Sequence, residues 1–363
     1  MQNDQTSRFR YLLAPIAFLY GLGVRGRNLL FDWGILRSER YDKPIICIGN
    51  VAVGGTGKTP HTEYIIRLLK DRYQVAVLSR GYKRRTKGYI LASPTSTSDD
   101  IGDEPFQMKH KFPTIQVAVD ANRRRGISNL LALASPPELI LLDDAFQHRY
   151  VKPSLSVLLT DYHRLYTQDR LLPMGRLREP VRGVKRADVV IVTKCDPAMS
   201  AAERQAIGED LCLSSCQKLY FSYVKYGDLT PLFPQEAKAF SWELMATDEE
   251  ILLVSGIAHP EPLEEEVGRH SRRMISLTFP DHHAFTSKDI QAIQTAFDKM
   301  KSPNKRIIVT EKDAARLLDC PWLPKAWHTF LYCLPITICF YPQDGMTFDQ
   351  IIENHIDERL KQR

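Results

Sequence analysis

The chain has 363 residues, 44% of them hydrophobic, and its 49 Lys and Arg against 43 Asp and Glu give a net charge of only +6. That length exceeds one small core, suggests two domains and supplies ample apolar material for a soluble or peripheral enzyme; neither a nucleic acid nor a protein partner is expected. Seven cysteines, odd in number, scattered and without Cys-x-x-Cys spacing, exclude a disulfide framework and a thiolate zinc site, and fit a reducing cytoplasmic compartment.

The first pattern along the chain is apolar, residues 11–22, flanked by Arg8, Arg10, Arg25 and Arg27. A helix of that length spans roughly 18 Å against about 30 Å of hydrocarbon, so it is too short to cross a membrane, and Pro15 lies inside it. The segment lacks the small-x-small site of a cleaved signal and runs into further helix-like sequence at 28–36, with Leu29, Leu30, Phe31 and Trp33. Two readings suit it: a helix lying in the membrane interface, or an N-terminal helix packed on the domain.

An apolar run at 44–48 then gives way to Gly49-Asn50-Val51-Ala52-Val53-Gly54-Gly55-Thr56-Gly57-Lys58-Thr59-Pro60, and a helical pattern begins near His61. A strand that stops, turns on glycines and restarts as a helix aims several backbone N–H groups at one point, where the helix dipole also favours negative charge. Gly54, Gly55 and Gly57, with Thr56 between them, let the main chain approach a polyphosphate; Lys58 reaches the outer phosphates and the Thr59 hydroxyl is placed for Mg²⁺. The strict motif asks for glycine where Ala52 stands, and Val53 occupies the place of the extra lysine found in some variant loops.

Beyond the loop, β-branched runs at 75–78, 115–119, 139–142, 155–159 and 189–192 read as buried strands, with helices at 62–70 and 122–133 between them. The pattern predicts an α/β fold: a P-loop-containing, doubly wound, mostly parallel sheet with a second, smaller α/β domain. Residues 218–226 alternate polar and apolar as an exposed ribbon would, and α/β patterning resumes at 251–254, 274–279, 307–310 and 336–340. The organisation expected is a membrane-associating segment over 1–36, the P-loop domain over 37–217, a linker ribbon at 218–226 and the second domain over 227–340. A C-terminal helix over 341–363 can return to the first domain.

Ligands bind at strand ends in such sheets. The strand at 139–142 runs into Asp143-Asp144, the usual acidic half of a phosphate-loop site, one carboxylate holding Mg²⁺ directly or through water. Ser79-Arg80-Gly81-Tyr82-Lys83 follows another strand, and Gly102-Asp103-Glu104-Pro105 follows a polar loop, offering carboxylates to a substrate hydroxyl. Basic triplets at 83–85 and 123–125 suit anionic ligands or lipid headgroups, or form a solvated face. Phe279-Pro280-Asp281-His282-His283 reads as a metal-site fragment or as a helix start capped by Asp281.

In order along the chain, these stretches resemble the tetraacyldisaccharide 4′-kinases, which phosphorylate a lipid A precursor. Leu172-Pro173-Met174-Gly175-Arg176-Leu177-Arg178-Glu179-Pro180, Ser255-Gly256-Ile257-Ala258 and Thr310-Glu311-Lys312-Asp313-Ala314 extend the resemblance. Departures fall at Ala145, Met174, Arg176 and Ala258-His259. The resemblance implies ATP, Mg²⁺ and transfer of the γ-phosphoryl group to the 4′-hydroxyl of an acylated glucosamine disaccharide 1-phosphate. It also implies a peripheral position on the cytoplasmic face of the bacterial inner membrane. Lys58, Thr59, Asp143, Asp144 and Mg²⁺ would then supply positioning and charge neutralisation, with Thr59 and Asp143 on the metal. By the same resemblance Asp103 takes the hydroxyl proton with a histidine of the 281–283 stretch as its partner, His282 being preferred over His283; an Asp of ordinary pKa, ~3.9, is a weak base, so the partner matters. Thr193-Lys194-Cys195-Asp196, at a strand end, carries the rival reading of a GTPase switch or partner-binding NTPase, with Asp196 reading guanine.

Overall fold

The computed structural model describes residues 13–361 apart from 247, 282, 343 and 344. Helix α1 (Ala14–Asp32) precedes β1 (Ile45–Asn50), the glycine loop and α2 (Lys58–Leu69). Then come β2 (Val75–Ser79), β3 (Ile90–Leu91), α3 (Asp103–Lys111), β4 (Gln116–Val119), α4 (Arg123–Leu131), β5 (Leu139–Asp143), β6 (Leu155–Asp161), β7 (Val189–Thr193), α5 (Ala201–Leu211) and β8 (Lys218–Tyr226). The remainder runs β9 (Thr230–Pro231), β10 (Glu250–Ser255), α6 (Glu261–His270), β11 (Arg273–Thr278), α7 (Ser287–Lys299), β12 (Lys305–Thr310), α8 (Glu311–Leu318), β13 (Leu331–Leu334), β14 (Ile336–Phe340) and α9 (Phe348–Lys361).

Among the described residues, nine strands join in the order β14-β8-β7-β6-β1-β5-β2-β4-β3 and five in the order β11-β10-β12-β13-β9. Pairing is parallel except where β14 meets β8, β3 meets β4 and β9 meets β13. The expected α/β, mostly parallel architecture is the one the chain adopts. Strands covered on both faces need apolar side chains at every position, which is why the central ones read as continuous runs. Ile46 and Ile48 of β1 point into a core with Ile65, Ile66 and Leu69 of α2 and Phe348, Ile352 and Ile356 of α9. Ile45 and Cys47 point the other way, into a core shared with Ile127 and Leu130 of α4. Asn122 starts α4 by accepting the Arg125 N–H, so that helix begins where its cap stands.

Register brings chemistry to one edge. Ile48 of β1 lies beside Asp143 of β5, and Leu78 of β2 beside Leu142, so the glycine loop, Ser79 and the acidic pair leave neighbouring strands at the same end.

Two strands differ from the expected layout. Residues 218–226 form β8, hydrogen-bonded to β7 with Tyr220, Phe221 and Ser222 buried, instead of an exposed ribbon. Ile336–Phe340, expected in the second α/β unit, pairs with β8 in the first sheet, and the Gly227 N–H donates to the Pro335 carbonyl where the two strands converge. Alternating polarity is common to a ribbon and to a strand near a sheet edge, which explains the misreading.

Helix α8 links the sheets. Its Ala315 packs with Ile101, Phe106 and Val119, and Lys111 of α3 bridges Glu63 of α2, at 2.6 Å, and Glu311 of α8.

Helix α1 is docked by a narrow strip. Ala17, Gly21 and Phe31 are buried, and a Cβ on Gly21 would meet Leu171 at 2.9 Å. Tyr20 donates to the Arg178 carbonyl at 2.7 Å, and Arg149 donates to the Asn28 carbonyl and to Asp32. Most of its other large apolar side chains face water: Phe18 is 63% exposed and Leu19 66%, with Trp33 just beyond at 69%. No described helix is long and apolar enough to cross a membrane.

Candidate active site

The glycine loop is held from three sides. Gly57, left-handed at φ 82°, caps α2. Inside the loop the Thr56 hydroxyl accepts from Asn50 Nδ2 at 2.9 Å, and its carbonyl accepts from the Thr193 hydroxyl at 2.9 Å. The Val53 N–H donates to the Arg176 carbonyl, and Ala52 forms a bridge with Leu177. Ala52 therefore sits in strand-like backbone, outside the positive-φ positions, and a methyl group there costs nothing that glycine would spare.

His61 anchors the loop from behind. Its Nδ1 donates to the Gly57 carbonyl at 2.7 Å, since a carbonyl only accepts, which leaves Nε2 to accept from the Ser222 hydroxyl at 3.0 Å. Burial drives this imidazole down to about 4, the Gly57 bond opposing it. Between pH 6.5 and 4 the unfolded chain thus binds the extra proton, and stability is lost on acidification through that window, by on the order of 2 kcal/mol at pH 5. His61→Gln should flatten the fall in Tm between pH 7.5 and pH 5; an unchanged slope would refute a buried neutral imidazole.

Opposite the loop, Asp143 is wholly buried and accepts from the Thr62 and Ser79 hydroxyls, both at 3.3 Å. Burial first, then the Glu104 and Asp144 carboxylates, push it up to about 7. Asp144, at φ 45°, turns toward Lys58, whose Nζ is 3.7 Å away, and toward Arg178 at 3.2 Å. Burial would raise its pKa, yet Lys58 and Arg178 outweigh burial and hold it below the ordinary carboxylate value. Carboxylate and hydroxyl oxygens are the donors a hard divalent cation takes, and Thr59 and Asp143 are residues that could hold one. Among the described residues no group of three or more His, Cys, Asp or Glu could hold a metal ion.

Behind the pair the expected basic cluster at 123–125 is divided. Arg123 is buried and donates to the Asp120 and Asp143 carbonyls, Arg125 grips Asp120 with two bonds, and Arg124 pairs with Glu39. His148 lies among guanidiniums: burial, then Arg123, Arg27, Arg124 and Arg80, lower it to about 4. Its Nε2 is buried with no hydrogen-bond partner in the structure.

Asp103 opens α3, with Glu104 beside it close enough to raise Asp143. Its carboxylate meets Arg316 of α8, at 3.1 Å from Nε and 3.0 Å from Nη2. His282 lies outside the described residues. His283 bonds Asp289 at 2.9 Å and stacks on Phe279, while Asp281 pairs with Lys312. Helix α7 is capped by Thr286, which takes the role expected of Asp281. In the rival tetrapeptide Lys194 pairs with Asp161 at 2.8 Å and the Asp196 carboxylate accepts the Ala198 N–H, so both side chains have local partners.

Comparison with known proteins identifies the family. A family model described as tetraacyldisaccharide-1-P 4′-kinase matches residues 9–357. The chain belongs to that family. It is 61% identical to the tetraacyldisaccharide 4′-kinase of Parabacteroides distasonis, with 99% of this chain and 98% of the relative covered. To the enzyme of the same name from Bacteroides thetaiotaomicron it is 51% identical, over 96% and 94% of the two chains. The crystal structure of LpxK from Aquifex aeolicus in complex with ATP is similar over 97% of this chain and 99% of that one, with a TM-score of 0.70 and 26% identity.

Three residues of this kinase site had no role in the sequence reading. Ser79 and Arg178 lie in motifs that were recognised, and their contact with the acidic pair appears only when β2 and the 172–180 loop are folded against β5. Arg316 follows the Thr310–Ala314 motif by one helical turn from Asp313, and only that i,i+3 spacing from an acidic residue marked it.

Proposed function

We propose that the chain binds ATP on the loop 54–59 and transfers its γ-phosphoryl group to the 4′-hydroxyl of a tetraacylated glucosamine disaccharide 1-phosphate. The convergence of Lys58, the Asp143-Asp144 end of β5 and the first turn of α3 on one spot carries this reading. Backbone N–H groups of the glycine loop and the Lys58 ammonium cradle the outer phosphates, while Asp144 and Arg178 orient that ammonium and close the site. Mg²⁺, on Thr59 and Asp143, neutralises phosphate charge when bound. Asp103 accepts the sugar hydroxyl proton as the oxygen–phosphorus bond forms and the bond to the bridging oxygen of ADP breaks. His282 is its proposed partner. The guanidiniums around His148 suit the substrate's anionic 1-phosphate.

The proposed location is the cytoplasmic face of the inner membrane. Helix α1 bears exposed Phe18, Leu19 and Leu22, with Arg25 beyond them, and its docked strip touches the 171–178 segment that also braces the glycine loop. The test is transfer from labelled ATP or GTP to the lipid in anionic vesicles. ATP should support transfer, and Phe18→Asp with Leu19→Asp should lower vesicle binding and lipid phosphorylation about tenfold or more while ATP binding stays. Transfer from GTP alone refutes the donor, and undiminished vesicle binding by the variant refutes the membrane face.

A further inference from the structure

Arg316 is 6% exposed, and its guanidinium is built into a chain of contacts from the second sheet. Nη1 lies 2.9 Å from Asp313 Oδ1 and 3.3 Å from the Gly256 carbonyl. Asp313, wholly buried, accepts the Gly256 N–H at 2.8 Å and the Thr310 hydroxyl at 2.7 Å through Oδ2. A Cβ on Gly256 would come within 2.8 Å of Asp313 Oδ1, so β10, the start of α8 and the arginine are locked together. The far side of the same guanidinium aims Nε and Nη2 at Asp103 Oδ2. Asp103 keeps a fifth of its side chain, 20%, open to solvent, so part of its carboxylate stays accessible while Arg316 grips Oδ2. A simple latch between lobes is met more cheaply by surface charges; burying a guanidinium between two carboxylates is costly unless its geometry matters.

We propose that Arg316 is a positioning residue for phosphoryl transfer: it sets the angle of the Asp103 carboxylate and ties that angle to the placement of the second sheet. The inference rests on the proton-accepting role proposed for Asp103. Its planar fork holds one oxygen from two donors, an arrangement that a lysine cannot reproduce.

The experiment compares kcat, KM for ATP and Tm for the wild type, Arg316→Met, Arg316→Lys, Asp103→Ala and the Asp103→Ala/Arg316→Met double variant. Arg316→Met should lower kcat about tenfold or more with KM for ATP within about twofold, and Arg316→Lys should fall between it and the wild type. In the Asp103→Ala background the Met substitution should cost less than about twofold, because its effect acts through that carboxylate. Losses that multiply, or wild-type kcat in Arg316→Lys, overturn the proposal; the Lys variant, which keeps a cation beside Asp313, carries the test should the Met variant not fold. An inert Arg316→Met beside an inactive Asp103→Ala refutes the positioning role alone. Wild-type kcat in Asp103→Ala refutes the proton-accepting role and with it this inference.

Discussion

Replacing Lys58 with alanine should leave a folded chain whose phosphoryl transfer is lower by on the order of a thousandfold. The ammonium is 3.7 Å from Asp144 and its side chain only 12% exposed, so it is held where the outer phosphates would sit and not at the surface. Alanine is a good helix former at the first position of α2, and the loop's own anchors, Asn50, Thr193 and His61, bond Thr56 and Gly57 and not the lysine. Circular dichroism and Tm close to the wild type, with kcat collapsed, is therefore the expected result. Thr59→Ala should act in the same direction by removing the hydroxyl proposed to hold Mg²⁺. Wild-type turnover by a well-folded Lys58→Ala protein would sink the kinase reading of this loop.

Asp103→Ala should lower kcat by about 10²- to 10⁴-fold and barely move ATP affinity, because the carboxylate stands at the head of α3 and not on the glycine loop. His282→Ala should show a loss of similar size, and the double variant should cost little more than either, as groups acting in one proton transfer do. His283 is a poor substitute for its neighbour, since its ring is committed to Asp289 and Phe279. Full additivity, or a defect confined to nucleotide affinity, would move the base to Glu104 or Asp144. Both lie near Asp143, whose pKa they raise.

What could be read in advance followed local rules. Ile45 to Ile48 and Leu139 to Leu142 are apolar without interruption because both faces of their strands are covered, and the glycine loop declares itself because few other residue sets make that turn. The departure at Ala52 was harmless for a reason only the fold supplies, its bridge to Leu177. Arg316 and Asp103 are 213 positions apart, and an ion pair between remote residues leaves no periodic trace. The same is true of Arg178 on Asp144. The division of Arg123, Arg124 and Arg125 among a buried, a surface and a bidentate role depends on which way each points from α4, and three identical letters carry no such direction.

The return of β14 and α9 to the first sheet has a consequence for biosynthesis. Every residue of the glycine loop and the acidic pair is made in the first half of the chain, yet Ile65, Ile66 and Leu69 behind that loop are covered by Phe348, Ile352 and Ile356, which are translated far later. A nascent chain on the ribosome therefore carries its phosphate-binding chemistry against an open apolar wall, a surface that invites aggregation or chaperone capture until β14 and α9 emerge. A cut just after β13 would spare all the chemistry and leave that wall uncovered. The backing of the glycine loop is thus complete only after β14 and α9 have been made.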